Sequence, residues 1–599
     1  MERGGQQRGG PQGARRILYL VDDRVTSLDY SPDHLMRPVR IRLAHALSAS
    51  LGLLQSYPSF DESTTSAYGG GGGGIRAEPG GEEGGKRLRG ITVDIFRPPP
   101  AQPHELYAFH PPQYVAFLQH AADRFLTRDG GGSRSRFEEP GEEVAVERSE
   151  VQHRLPSCAL AGGPPPCDAA HVGHPPGEAA GCGRSSSCEC DLSMLRDYGL
   201  YLVGGHAAKD EDDCPLFDTL WPVVASYVGG SLAAARALRD GRYDVAIHWG
   251  GGMHHAAPQR ASGFCYANDI VLAIKELLLC DDASHPVVHP SSSSFAPYGR
   301  GGGGRRTGSG RGPALLDHSV VVRRVLYVDL DVHHGDGVEN AFRNDPRVIT
   351  LSVHQFGDGF FPGTGNVGEV GSGLGRGTCV NVPLPAGTGG EAYVSLFTAT
   401  IENVMSTFDP TVVVLQCGAD TIVGDVLGRL DVSTRDYARC VEAVLSYELP
   451  TLILGGGGYN VVNTAKCWAI VTACAVRRSH VLPPDVPVSC RYFHALKADG
   501  TGTGHSSSLH VDVVKSPALA LSDGKKPEVS QNSGGAVCAA VYRAVCAQLH
   551  VMRRRYVPLL RTMAMLMVDP TEPVGVLRRK RQRLLAQPNE VEVRLDNVS

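Results

Sequence analysis

Nowhere in the 599 residues do eighteen apolar residues follow one another, so no membrane-spanning helix is expected. The opening MERGGQQRGGPQGARR lacks the apolar stretch of a secretory signal. The 16 cysteines are too sparse for the framework of a small disulfide-stapled domain. Several of them, Cys265, Cys417 and Cys467 among them, lie in apolar segments and read as reduced, buried thiols. A formal net charge of -5 gives no overall field of the kind that coats nucleic acid, and no direct nucleic-acid or membrane binding is expected. These absences together favour a soluble intracellular protein.

What is present is unevenly spread. The 73 glycines and 40 prolines crowd into a few stretches, near 69–88, 128–192 and 281–318, which read as low-complexity insertions. Between them, short runs rich in β-branched residues recur at 17–21, 244–249, 324–332, 348–354, 411–416 and 451–456. Helix-spaced segments alternate with them: Ser231 to Arg239, Ala267 to Leu279, Ala392 to Thr407 and Thr434 to Tyr447. This pattern predicts one large α/β domain over 17–500, with a mostly parallel central sheet flanked by helices. A tail over 1–16 precedes it. A partly helical extension over 501–599 follows, with helices within 535–568 and a basic run, LRRKRQR, at 577–583.

Four segments carry chemistry, and each follows a predicted strand, at the sheet edge where α/β sites form. In DLDVHHGDG (329–337), Asp331 and His333 are two residues apart, so in extended chain they share a face and can converge on one metal ion. Asp425, in GADTIVGD after strand 411–416, is available as a third ligand. Two carboxylates and one imidazole leave a coordination position open, as catalytic sites require. In GGGMHHAAPQRASGFCY (250–266) the adjacent His254 and His255 can take different partners, and Asp329 and Asp336 remain to orient them. In LGGGGYN (454–460) the Tyr459 hydroxyl can serve a developing oxyanion, although a tight turn with a packed tyrosine would read the same way.

Taken in order, RPVRIRLAH (37–45), DDCPLFDTL (212–220), the double histidine with SGFCYANDI (262–270), DLDVHHGDG, GFFPGTG (359–365), GADTIVGD and LGGGGYN closely resemble the class I histone deacetylases over about 17–495 outside the insertions. The resemblance implies the arginase/deacetylase fold and metal-assisted hydrolysis of acyl-lysine in histone tails or other proteins. It implies Asp331, His333 and Asp425 as zinc ligands, with ferrous iron an alternative that the mixed oxygen and nitrogen donors also suit. By the same resemblance His255 is the general base and His254 its electrostatic partner, with Asp336 paired to His255 and Asp329 paired to His254. Tyr459 polarises the acyl carbonyl, Gly263, Phe264 and Phe361 line a channel for the lysine stem, and Asp213 holds substrate backbone. A monovalent cation, potassium, is implied near Asp329, Asp331, His333 and Ser352. A nuclear location is implied as well, with the cytoplasm as an additional one.

Val426 and Val462 stand where corepressor-bound members of the family carry arginines for an inositol phosphate. That site is expected to be absent or weak here, as in the class I branch that acts without such complexes. The single-site ligand set and the tyrosine loop argue against a two-manganese arginase-like hydrolase, and two rival readings stay open: a deacylase of polyamines or small amides, and a scaffold recruited through the insertions. Five cysteines between Cys158 and Cys190 match no common zinc-finger spacing.

Overall fold

The computed structural model describes residues 15–26, 30, 34–54, 90–126, 193–202, 213–279, 324–497, 506–513 and 539–550. The three expected insertions, the cysteine group from Cys158 to Cys190 and the basic run 577–583 lie outside the described residues.

The runs of β-branched residues build one sheet. Eight strands line up in the order β2-β1-β5-β10-β9-β6-β7-β8, every neighbouring pair parallel. They are β1 (Arg15–Leu20), β2 (Ile91–Phe96), β5 (Val245–His248), β6 (Val325–Asp329), β7 (Val348–Gln355), β8 (Cys379–Leu384), β9 (Val412–Gln416) and β10 (Thr451–Leu454). A separate pair, β3 (Leu200–Leu202) and β4 (Cys214–Leu216), lies outside this sheet.

Side chains alternate between two cores, as the period of two demands. Ile17, Tyr19, Ile247, Val413 and Ile453 face one core, which helices Val39–Ser50, Gly390–Phe408, Thr434–Leu445 and Val461–Ala475 help to fill. Leu18, Leu20, Ala246, Val414 and Leu452 face the other, with helices Asp269–Leu277 and Asp336–Phe342. Coverage on both faces explains why the central strands are apolar throughout.

The chain runs outward from β6 to β7 and β8, then returns to lay β9 on the other side of β6, with β10 beyond it. This reversal opens a crevice at the carboxyl ends of β6 and β9. The strands β5, β10, β9 and β6 are contiguous there, and the four motif loops leave from that edge.

Candidate active site

The loop after β6 supplies Asp331 and His333, and the loop after β9 supplies a second carboxylate. That carboxylate belongs to Asp420. Ligand atoms of Asp331, His333 and Asp420, all buried, lie within 4.8 Å of one another. His333 Nδ1 is 3.1 Å from Asp331 Oδ1 and 3.2 Å from Asp420 Oδ2.

The expectation for Asp425 is therefore corrected. Its carboxylate turns to backbone instead, accepting from Leu427 N (2.9 Å), Gly428 N (3.3 Å), Tyr459 N (2.7 Å) and Asn460 N (3.1 Å). An acceptor this fully engaged by N–H groups has little capacity left for a cation. Asp425 ties the 424–428 turn to the tyrosine loop.

The cluster fits a divalent ion on three counts. Asp420 Oδ2 is a buried acceptor that faces the His333 ring nitrogen at 3.2 Å, itself a ligand atom, while Oδ1 accepts from Val332 N at 2.9 Å. Burial, and then the neighbouring Asp331 carboxylate, push the Asp420 carboxyl upward, a like-charge conflict that a cation relieves. The other ligand carboxylate is oriented from behind: Asp331 Oδ2 accepts from Gln416 Nε2 at 2.8 Å and from Gly457 N at 2.9 Å. A methyl group on Gly457 would run into Asp420 Oδ2, so this position has room for hydrogen alone.

The two adjacent histidines are partnered separately. His254 Nδ1 is 2.8 Å from Asp329 Oδ2, which also accepts from the Tyr327 hydroxyl at 2.7 Å. His255 Nδ1 is 2.7 Å from Asp336 Oδ1. Burial works against charge on His254, but the Asp329 and Asp331 carboxylates outweigh it and raise the imidazole to about 9. For His255 burial wins, helped by the His254 charge, and the pKa falls below 6.5 despite Asp336. Neighbouring rings thus carry opposite protonation tendencies.

Local capping sets this loop. Asn268 caps helix Asp269–Leu277 by accepting from Val271 N (3.0 Å), and its amide donates to His254 O (3.3 Å) and Ala256 O (3.0 Å). Asp269 accepts from Met253 N (2.8 Å), Gly252 N (3.0 Å) and Ser231 Oγ (2.5 Å). Both residues serve the histidine loop as well as the helix.

Aromatic rings surround the approach. Phe361, 41% exposed, meets the His255 ring edge-on at 5.0 Å, and Phe360 lies flat on His333 at 5.1 Å and 6°. Half-buried Tyr459 has the Phe264 ring at 5.7 Å and the His333 ring at 6.4 Å. Burial lifts the Tyr459 phenol well above 10, so it stays protonated as a donor. Asp213 Oδ1 accepts from Gly263 N at 3.0 Å, which places it beside Phe264. Ser352 pairs in register with Asp329 across β6 and β7.

Sequence reasoning missed Asp420, Gln416, Phe360 and Arg40. Arg40 is 2% exposed, donates to Gly456 O and Gly458 O at 2.6 Å each, and stacks 5.0 Å from the Trp468 ring. It holds the glycine loop from below. The signal for Asp420 was distance: β9 ends at Gln416, four residues before Asp420 and nine before Asp425.

A model of the histone deacetylase domain matches residues 85–285 and 314–475, more than half of the chain. The chain belongs to the histone deacetylase family. Among curated relatives, Histone deacetylase 1 of Oryza sativa is 33% identical over 82% of this chain and 65% of its own length. Histone deacetylase 6 of Arabidopsis thaliana is 32% identical over 88% of this chain and 78% of its own. Histone deacetylase HDAC1 of Drosophila melanogaster is 42% identical over a shorter stretch, 45% of this chain and 44% of its own. The chain spans 63% of Histone deacetylase 2 of Oryza sativa, under two thirds of that relative. The family match breaks between 285 and 314, within the stretch read from the sequence as an insertion.

Proposed function

We propose that this family member hydrolyses the amide of acetyl-lysine, or a related acyl-lysine, in histone tails or other proteins. The observation that carries the reading is the convergence of Asp331, His333 and Asp420 beside two His–Asp pairs at one sheet edge. These three residues would hold the metal, with zinc the first choice for a compact set of one nitrogen and two oxygen donors. Bound there, zinc supplies Lewis acidity that acidifies water and polarises a carbonyl.

The chain's own residues do the rest. Neutral His255 takes the proton of the attacking water on Nε2, because Nδ1 is committed to Asp336, and returns it to the departing lysine nitrogen. His254, charged against Asp329, offers positive potential without competing as a base. The Tyr459 phenol donates to the oxyanion as the tetrahedral centre forms. Phe264, Phe360 and Phe361 pack on the methylene stem and keep water away, and Asp213 receives substrate backbone at the rim. The adjacency of Ser352 and Asp329 supports potassium at the back of the site. Val426, 60% exposed, and half-buried Val462 cannot pair with phosphate, which supports weak or absent inositol-phosphate binding. A nuclear location follows from a histone substrate.

The test is acetate release from acetyl-lysine peptides by the zinc-loaded chain, with acetylated polyamine in a parallel assay. Release from peptides that chelator abolishes and zinc restores supports the reading. Equal zinc loading without peptide turnover refutes it, and turnover of polyamine alone moves the substrate class.

A further inference from the structure

Next to the ligand His333 lies a set of polar contacts that the proposed chemistry does not use. His334 is 2% exposed, with Nε2 3.1 Å from Glu339 Oε2 and Nδ1 2.8 Å from Thr364 Oγ1. A carboxylate only accepts, so Nε2 carries the proton and the Thr364 hydroxyl closes the chain at the other nitrogen. Glu339 is itself held by Asn381 Nδ2 at 2.8 Å. One residue on, Gly365 O accepts from His354 Nε2 at 2.9 Å, and Gly365 N donates to Glu369 Oε1 at 3.1 Å. The loop 359–365 is thus fastened at its far end to helix Asp336–Phe342 and to β7.

The near end of the same loop carries Phe360, flat on His333, and Phe361, edge-on to His255 and partly in solvent. Ring contacts at the near end leave the far end of a solvent-facing loop to be fixed by other bonds. The restraint there is the Glu339–His334–Thr364 chain, in which the buried Glu339 contact orients the imidazole and the His334–Thr364 bond reaches the loop. It starts on the residue after the ligand, so the loop takes its position from the same backbone that orients His333.

The geometry points to His334 as a positioning residue: backed by Glu339 and bonded to Thr364, it sets the 359–365 loop so that Phe360 and Phe361 clasp the aliphatic stem of an acyl-lysine. This rests on the deacylase reading and adds to it the group that fixes the channel wall.

The decisive variant is Thr364→Val, which keeps the shape of a half-buried side chain, removes the hydroxyl and leaves His334 on Glu339. The probes are two hydroxamates bound to the zinc-loaded full chain, acetohydroxamate, which has no stem, and a linear hydroxamate with a six-methylene stem. The variant weakens the stem-bearing ligand about tenfold, the scale of one lost buried hydrogen bond, and leaves acetohydroxamate unchanged. In turnover, KM for an acetyl-lysine peptide rises while kcat stays within about twofold, and Thr364→Ser restores both. Unchanged affinity for both ligands overturns the proposal, and so does an equal loss for both, which would assign His334 to the metal. If the unaltered chain binds neither ligand, the deacylase reading itself fails.

Discussion

Two aspartates five positions apart in GADTIVGD divide two tasks between them. Asp420 turns one buried oxygen toward Asp331 and His333, whereas Asp425 spends its oxygens on four backbone N–H groups. Asp420→Asn is therefore expected to lower bound zinc from one per chain to a small fraction and to cut kcat/KM by at least ~100-fold. Asp425→Asn keeps its zinc but loosens the backbone that presents Tyr459, and kcat falls by roughly 10-fold. Metal analysis beside steady-state rates separates the two, and zinc loss in the Asp425 variant alone would reverse the assignment. At His255 the sign of the pH effect follows from its depressed pKa. Only the neutral ring accepts a proton, so kcat/KM declines as pH drops through a value below 6.5. Asp336→Asn removes a carboxylate that holds the ring up, which moves this limb to still lower pH and reduces kcat. A pH–rate profile checks this, and a limb above 6.5 contradicts it.

The loops and helices show why some elements were legible in the sequence and others were not. The six strands read from β-branched runs all formed, because a buried parallel strand leaves a continuous apolar signature. Two strands of the same sheet were missed. β2 is an edge strand with exposed and half-buried positions, and β8, the opposite edge, contains Pro383, which an edge tolerates because no further strand needs its N–H. Helix Val39–Ser50 escaped notice because Arg40, His45 and Ser48 are buried among its apolar residues and break the stripe. The helix read from Ser231 begins at Leu220. Pro222 lies in its first turn, and Gly229 and Gly230 sit where the backbone of Pro99 and the ring of His248 leave no space for a side chain. The glycine run after β10 obeys the same restriction at the site. Gly457→Ala should abolish zinc binding with an unchanged far-UV circular dichroism spectrum, since the added methyl meets the Asp420 carboxylate. Full zinc occupancy in that variant would show that the loop has room to spare.

Across the whole molecule, burial that builds the site also sets an acid limit. His45, His110 and His248 are buried and held neutral, with pKa values lowered by burial to about 3, 4 and 4. Their folded values lie below the unfolded 6.5, so the unfolded chain binds protons more readily, and stability present above 6.5 is lost as pH falls toward 4. At pH 5 each imidazole withdraws roughly 2 kcal/mol. Denaturant midpoints of metal-free protein should drop markedly between pH 7.5 and 5, and a flat profile would mean that these rings charge without cost in the fold. At this scale the sequence disclosed the family, the sheet and most of the site, because motif residues cluster at strand ends. It did not disclose which carboxylate of a short loop turns inward, since that depends on where β9 stops. The central claim is that Asp331, His333 and Asp420 share one divalent ion. Anomalous diffraction at the zinc edge from zinc-loaded crystals tests it most directly. The account predicts a single peak about 2.0–2.2 Å from Asp331 Oδ1, His333 Nδ1 and Asp420 Oδ2, and a peak coordinated by Asp425, or no peak in this crevice, would contradict it.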